Sequence, residues 1–343
     1  MAAATPHQGT SAPIILTPGD PAGIGAEISL KAFAAGLRGF ILMEDPNRLA
    51  AMAARLGLDI PIETVEAPFN LAPDHAALPV LALSWDTAPV PGTSDPRNAA
   101  CVIESIRRAA GMAQDGHVAA MVTNPIHKSV LIKAGFSHPG HTEFLASLAP
   151  PRKGAPMMML ASEMLRVVPA TVHIALRDVP DALTTDGLVA KGRLLEESLR
   201  LYFGCAAPRI AFCGLNPHAG EDGQFGDEDS RVIAPAVSAL KAEGVSAFGP
   251  LSADTLFHPQ ARASYDAVIG MYHDQVLIPL KTLDFDGGVN VTLGLDFIRT
   301  SPDHGTAFDI AGTGKARPDS LMAAIRMAQR MARMKAAHAC DHG

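Results

Sequence analysis

The sequence predicts an α/β protein, a sheet with helices on its faces, and three observations carry that prediction. Short β-prone runs alternate along the chain with stretches of helical periodicity. With 343 residues, 48% hydrophobic and 18% charged, the chain holds enough apolar material for a substantial core. The densest polar motifs come directly after the β-prone runs, and in open α/β sheets ligands bind at the carboxyl ends of strands. The length suits two domains.

Taken in order, Pro13 to Thr17 reads as a strand, and Arg97 to Gln114 sets Ala99, Val102, Ile103, Ile106 and Ala110 on one helical face. Val118 to Val122 is the next strand. Lys191 to Phe203 is an amphipathic helix with Leu194, Leu195, Leu199 and Tyr202 on one face, followed by a strand at Arg209 to Cys213. A helix at Ser230 to Glu243, a strand at Asp266 to Met271 and a last helix at Asp319 to Ala336 complete the series.

Composition excludes several classes of partner. The net charge is −7 and the 28 Lys and Arg residues are scattered, so there is no basic stripe for nucleic acid or a membrane surface. Cys101, Cys205, Cys213 and Cys340 show neither a disulfide framework nor a thiolate metal spacing, which suits a reducing, cytoplasmic setting. The apolar stretch Ala155 to Leu176 is broken by Glu163, Arg166, Pro169 and His173 and does not read as a membrane span. Residues 1–11 read as a flexible tail without the features of a signal peptide.

Four motifs follow strands: Thr17-Pro-Gly-Asp-Pro-Ala-Gly-Ile-Gly25, Thr123-Asn-Pro-Ile-His-Lys128, Gly214-Leu-Asn-Pro-His-Ala-Gly-Glu221 and Tyr272-His-Asp-Gln275. The first invites a dinucleotide fingerprint, but the third glycine of that pattern would fall at Ile28, so the match fails. Gly314-Lys315 lacks the earlier glycine of a P-loop. Among thirteen histidines, His173, His218 and His273 lie at or after strand ends, where three neutral imidazoles suit zinc or a similar divalent ion. Singly, each could be a hydrogen-bonded structural residue. His138-Pro-Gly-His141-Thr142-Glu143 reads as a turn and helix start, at which His141 and Thr142 can face an anion. Lys281, Asn290 and Arg299 surround a Gly-rich segment and supply donors for a carboxylate or phosphate.

These blocks, with Gly140-His-Thr-Glu-Phe144, Ala253-Asp-Thr-Leu-Phe257, and Phe297-Ile-Arg-Thr-Ser301 to Asp303-His-Gly-Thr-Ala307, resemble the signature blocks of the 4-hydroxythreonine-4-phosphate dehydrogenase family. They occur in that family's order over nearly the whole chain. The resemblance implies an isocitrate/isopropylmalate dehydrogenase-like two-domain fold with a non-Rossmann nucleotide site in the interdomain cleft. Its nucleotide-binding domain would take residues 12–130 plus 300–337, and its substrate, metal and dimerisation domain residues 131–299. It implies a homodimer whose divalent metal (Zn, Co or Mg) is held by His173, His218 and His273 at the subunit interface. Substrate would meet His141, Thr142, Lys281, Asn290 and Arg299, with Asp254 and Lys281 in catalysis. A second likeness, to the adenosine loop of isopropylmalate and isocitrate dehydrogenases, implicates His304, Gly305, Thr306, Ala307 and Asp309 in cofactor binding. There the aspartate corresponding to Asp309 accepts from the adenosine ribose, and a carboxylate at that place favours NAD over NADP.

The activity so implied is NAD-dependent oxidation of a small phosphorylated hydroxy-amino acid, 4-phosphohydroxy-L-threonine. The resulting β-keto acid loses CO2 to give 3-amino-2-oxopropyl phosphate, in pyridoxal 5'-phosphate biosynthesis. Rivals of the same class oxidise threonate or erythronate 4-phosphate, or aromatic cis-dihydrodiol carboxylates. Rivals of other classes are a metal-dependent hydrolase or lyase without nucleotide, and a catalytically silent binding protein.

Overall fold

The structure is a computed structural model. It describes residues 12–67, 69, 71–72, 74–135, 141–148 and 155–342, with the backbone alone for residues 141–143 and 341–342. The chain forms two compact units, Met1–Leu148 with Phe297–Arg333, and Ala149–Asp296 with Met334–Gly343.

From the amino end the elements are β1 (Ile14–Thr17), α1 (Gly25–Ala34), β2 (Phe40–Glu44), α2 (Pro46–Arg55), β3 (Ile62–Thr64) and β4 (Leu78–Ala82). Next come α3 (Ala99–Gln114), β5 (Ala120–Thr123), α4 (Lys128–Lys133) and α5 (His141–Leu148). Then follow β6 (Met157–Ala161), β7 (Arg166–Pro169), α6 (Val179–Ala182), α7 (Thr185–Phe203), β8 (Arg209–Cys213), α8 (Ala234–Ala242) and β9 (Ser246–Leu251). The rest are α9 (Pro259–Arg262), β10 (Ala267–Gly270), α10 (His273–Leu283), β11 (Val289–Leu293), β12 (Arg299–Pro302) and α11 (Asp319–His342).

In the first unit the strands run in the order β3-β4-β2-β1-β5-β12, all parallel. Every residue of β1, β2 and β5 is buried, as expected for parallel strands covered on both faces, whereas the edge strand β3 is partly exposed. In the second unit the order is β11-β6-β7-β10-β8-β9. There β7, β10, β8 and β9 are parallel, and β6 runs antiparallel to both β7 and β11. The α/β class expected from the alternation is the class found.

Helix boundaries differ from the periodicity reading for local reasons. A short turn over Pro96–Asn98, in which the Asp95 carboxylate accepts from the Arg97 N–H at 2.9 Å, precedes α3. Helix α7 starts six residues before Lys191 because the Thr184 hydroxyl caps the Gly187 N–H at 3.1 Å. A wide turn over Asp229–Ile233 precedes α8, next to Pro235, which has no N–H to offer the helical ladder. Helix α7 packs closely on α8 at Gly192, where a Cβ would stand 2.4 Å from Leu240 Cδ1.

The core of the second unit matters for function. Leu160, Val167, Ala211, Cys213 and Val268 form an apolar layer on which Val276, Leu277 and Leu280 of α10 pack. Gly270 lets that helix approach, since a Cβ there would lie 2.2 Å from Val276 Cγ1. Burial of one face of α10 on this layer orients its other residues, His273 and Lys281 among them.

Candidate active site

Two of the three candidate histidines are brought together by the ends of adjacent parallel strands. The main chain after β7 is fastened to that after β10: the Ala170 N–H donates to Gly270 O at 2.7 Å, and the Thr171 N–H and hydroxyl both donate to Met271 O, at 3.2 and 2.7 Å. His173, two residues on, and His273, at the head of α10, consequently have ring centroids 5.8 Å apart. His273 Nδ1 lies 2.7 Å from the Asp274 carboxylate, an arrangement that orients the ring and leaves Nε2 for a ligand. Gln275 ties in a third loop, accepting the Met271 N–H at 2.6 Å and donating to Gly214 O at 2.7 Å.

That third loop carries His218 in an unusual conformation. His218, Ala219, Gly220, Glu221 and Asp222 all have positive φ, between 41° and 83°, a left-handed turn in which four of five residues carry a Cβ. L-residues enter this region singly at a cost of roughly 1–2 kcal/mol each, so a run needs to be held. The holding group is Asp229, a buried carboxylate that accepts from Leu215 N (2.9 Å), Asn216 N (3.1 Å) and Asn216 Nδ2 (3.1 Å). Asn216 Nδ2 also donates to Glu228 at 2.7 Å. His218 is exposed at the turn, with Phe225 beside it at 6.2 Å between centroids. Asp254 is exposed and accepts from the Ser252 hydroxyl at 2.5 Å. This bond, with a smaller contribution from the charge of His218, holds its carboxyl below the usual carboxylate range. Among the described residues no three His, Cys, Asp or Glu side chains gather closely enough to hold one ion. His173 and His273 form a pair, and His218 does not join them in such a group.

Lys281 sits two turns beyond His273 on α10. His273, Asp274, Leu277, Ile278, Lys281 and Thr282 line an open groove of about 420 Å³, and Lys281 Nζ is 5.8 Å from the Phe285 ring centroid. Asn290 on β11 is half-buried, and its Oδ1 is buried with no hydrogen-bond partner among the described residues, an acceptor suited to a ligand. In the first unit, Arg299 opens β12 almost fully buried, and burial pushes its guanidinium down to about 10. One of its nitrogens donates to the Thr123 hydroxyl at 2.7 Å. His141 and Thr142 open α5, and their side chains lie outside the described residues, as does the whole of residues 136–140.

The glycines of the first loop have steric causes. A Cβ on Gly25 would lie 2.3 Å from Pro18 O, and one on Gly19, at φ +74°, 2.5 Å from Pro125 O. The loop is a tight turn from β1 into α1. The late loop, residues 304–316, belongs to the same unit. Thr306 is buried, Ala307 stands at φ +46°, and Asp309 is exposed on the turn that follows. His304 Nδ1 contacts Gly305 O at 3.0 Å, and its Nε2 is buried without a hydrogen-bond partner among the described residues.

Comparison with known proteins decides the family. The family model described as pyridoxal phosphate biosynthetic protein PdxA matches residues 38–328. The chain belongs to the PdxA family. It is 54% identical over 340 residues to the 4-hydroxythreonine-4-phosphate dehydrogenase of Xanthobacter autotrophicus, covering 97% of each chain. Among solved structures, the 4-hydroxythreonine-4-phosphate dehydrogenase of Klebsiella pneumoniae matches with a TM-score of 0.87 and 40% identity, over 95% of this chain and 99% of that one. A terephthalate 1,2-cis-dihydrodiol dehydrogenase from Burkholderia xenovorans matches with a TM-score of 0.64 and 29% identity, over 94% and 98%.

Within this PdxA chain, the positioning residues are the ones that motif reading missed. Asp229 passes in the sequence for an acid at the start of a helix, and Thr171 for a strand residue. Gln275 closes the Tyr272-His-Asp-Gln275 motif, in which the sequence assigns it no role. Their hydrogen bonds run to main chain far away in sequence, and side-chain spacing carries no signal for that.

Proposed function

We propose that this PdxA-family chain oxidises 4-phosphohydroxy-L-threonine with NAD to a β-keto acid that loses CO2, giving 3-amino-2-oxopropyl phosphate. The observation that carries the reading is the pairing of His173 and His273 at two strand ends, at the head of the helix that bears Lys281. Imidazoles with a carboxylate behind one of them are the donor chemistry of a borderline divalent ion, zinc or cobalt, with magnesium less suited to nitrogen ligands. We assign His173, His218 and His273 to it. When bound, such an ion acidifies the substrate hydroxyl and stabilises the charge left as CO2 departs.

The chain's own groups do the rest. Lys281 and Arg299 neutralise the substrate's phosphate and carboxylate, Asn290 Oδ1 accepts a donor from it, and His141 and Thr142 complete its binding set. Asp254, ionised at neutral pH, is the candidate to take the hydroxyl proton. The late loop fits a dinucleotide: Asp309 offers an exposed acceptor for a ribose diol, and His304 Nε2 is a buried polar atom awaiting a partner. A carboxylate at position 309 repels a 2′-phosphate, which favours NAD over NADP.

We further infer a homodimer with the metal at its interface. Exposed apolar side chains flank each part of the site: Ile174 and Leu176 beside His173, Phe225 beside His218, and Ile278 and Phe285 beside Lys281. A second copy covering them would join the ligand set. No helix among the described residues is long and apolar enough to cross a membrane, and an NAD-linked biosynthetic step suits the cytoplasm.

The test is metal-dependent NADH formation by the purified protein. The expected result is a kcat/KM for 4-phosphohydroxy-L-threonine well above those for threonate 4-phosphate, erythronate 4-phosphate and aromatic cis-dihydrodiol carboxylates, with turnover abolished by His218→Ala. Higher kcat/KM for one of the others, or a His218→Ala enzyme still active without metal, would sink the assignment.

A further inference from the structure

The first loop and α1 contain no nucleotide fingerprint, yet they hold a buried charge cluster whose partners all lie in the late loop. Glu27 is fully buried. Its Oε2 accepts the Gly312 N–H at 3.0 Å, and its Oε1 accepts the Ala316 N–H at 3.0 Å and Lys31 Nζ at 2.9 Å. Lys31 Nζ donates in turn to Gly314 O at 2.7 Å and Ala316 O at 2.6 Å. One turn earlier on the same side, the Ile24 N–H donates to Thr306 O at 3.1 Å. Gly23 is what allows that approach, for a Cβ there would stand 3.0 Å from the same oxygen.

Glu27 and Lys31 share one face of α1, and together with the Ile24 N–H just before the helix they hold the late loop at 306, 312, 314 and 316. These points lie on both sides of Asp309. A buried ion pair is a poor way to gain stability, since well-packed apolar side chains of the same volume do as well or better. What a buried carboxylate can do that an apolar group cannot is fix main-chain N–H groups in one place.

We propose that Glu27, supported by Lys31, is a positioning residue for nucleotide binding, mooring residues 304–316 so that Asp309 and His304 are presented in one fixed geometry. The proposal rests on the assignment of that loop to NAD made above. Glu27 does not touch the nucleotide. It acts on cofactor affinity alone, since its hydrogen bonds run to Lys31, Gly312 and Ala316 and not to the residues assigned to metal or substrate.

The test uses the full-length, metal-loaded enzyme and NAD as the probe. Glu27→Gln keeps the shape but replaces one acceptor oxygen by a donor. It is expected to raise the Kd and KM for NAD about tenfold, the weight of one charge-assisted hydrogen bond. The KM for the phosphorylated substrate, the metal affinity and kcat at saturating NAD should stay unchanged. Asp309→Asn should itself weaken NAD binding, and in that background Glu27→Gln should add little, because both act through one loop. Should Glu27→Gln not fold, Lys31→Met removes the two carbonyl contacts from a more exposed position and is expected to shift NAD affinity in the same direction. NAD affinity unchanged in the Glu27 and Lys31 variants but lost in Asp309→Asn overturns the mooring and leaves the loop assignment standing. NAD affinity unchanged in Asp309→Asn removes the loop assignment and the mooring with it. A general loss of stability and activity with no selective effect on NAD leaves Glu27 a structural residue and also overturns the proposal.

Discussion

Arg299 concentrates the physics of the site in one side chain. Burial takes the guanidinium out of water, and that desolvation pushes it down to about 10. A base whose folded value lies below its ordinary 12.5 weakens the fold at neutral pH, and that cost disappears only as the pH rises past the unfolded value. In the function proposed above, this cation meets the anion of the substrate. We expect Arg299→Met to raise the KM for the phosphorylated substrate roughly 100-fold through loss of charge-assisted hydrogen bonds. Inorganic phosphate should raise the melting temperature of the parent protein and not of the variant. Scanning calorimetry with steady-state kinetics checks both, and an unchanged KM would remove Arg299 from the anion site.

The turn after β8 shows how one element can be shaped by a residue outside it. His218 to Asp222 keep a left-handed path because Asp229 collects three N–H groups at the base of the loop. Asp229→Ala leaves those donors buried and unsatisfied, at about 1 kcal/mol or more apiece, so a loss of roughly 3 kcal/mol is expected in urea denaturation. The freed turn should also bind divalent metal at least about tenfold more weakly, the range seen when groups behind a ligand are removed. Asp229→Asn, which keeps one acceptor, should fall between. A metal affinity indifferent to both changes would show that the turn does not serve His218. The same turn marks where the sequence stops being legible. Strands β1, β8 and β10 and the buried faces of α3 and α7 follow from apolar periodicity, and the polar motifs do lie at the strand ends. The antiparallel pair β6 and β7 reads only as one interrupted apolar stretch, because its strands are short and buried. The left-handed run carries a single glycine within Pro217 to Asp222, and nothing in Pro-His-Ala-Gly announces it. Likewise the pairing of His173 with His273 depends on the Thr171 and Ala170 hydrogen bonds to main chain a hundred residues away.

At the scale of the whole molecule, the proposed ligand set and the exposed apolar side chains point to the same requirement. His173 and His273 pair within one chain, and Ile174, Leu176, Phe225, Ile278 and Phe285 stand in solvent around the site, Phe285 at 74% and Ile278 at 61% exposure. Apolar groups this exposed, clustered about polar ligands, are the pattern of a surface that another chain covers. If the chain forms the homodimer proposed above, metal retention and assembly should be one equilibrium: each subunit would contribute to the other's site, and separating the subunits would empty both. Ile278→Asp and Phe285→Asp place charge on that surface without touching the packed side of α10, whose Val276 and Leu280 lie in the core. In sedimentation at micromolar concentration the double variant is expected to be a monomer with native circular dichroism. Its metal content, measured after desalting, should drop to a small fraction of the parent's, and turnover should fall at least about 100-fold, because a site missing a subunit's ligands loses several kcal/mol of binding. Chelation of the parent protein should produce the converse, loosening the dimer while NAD binding persists. A monomer that keeps its full metal complement and activity would show that one chain carries the whole site.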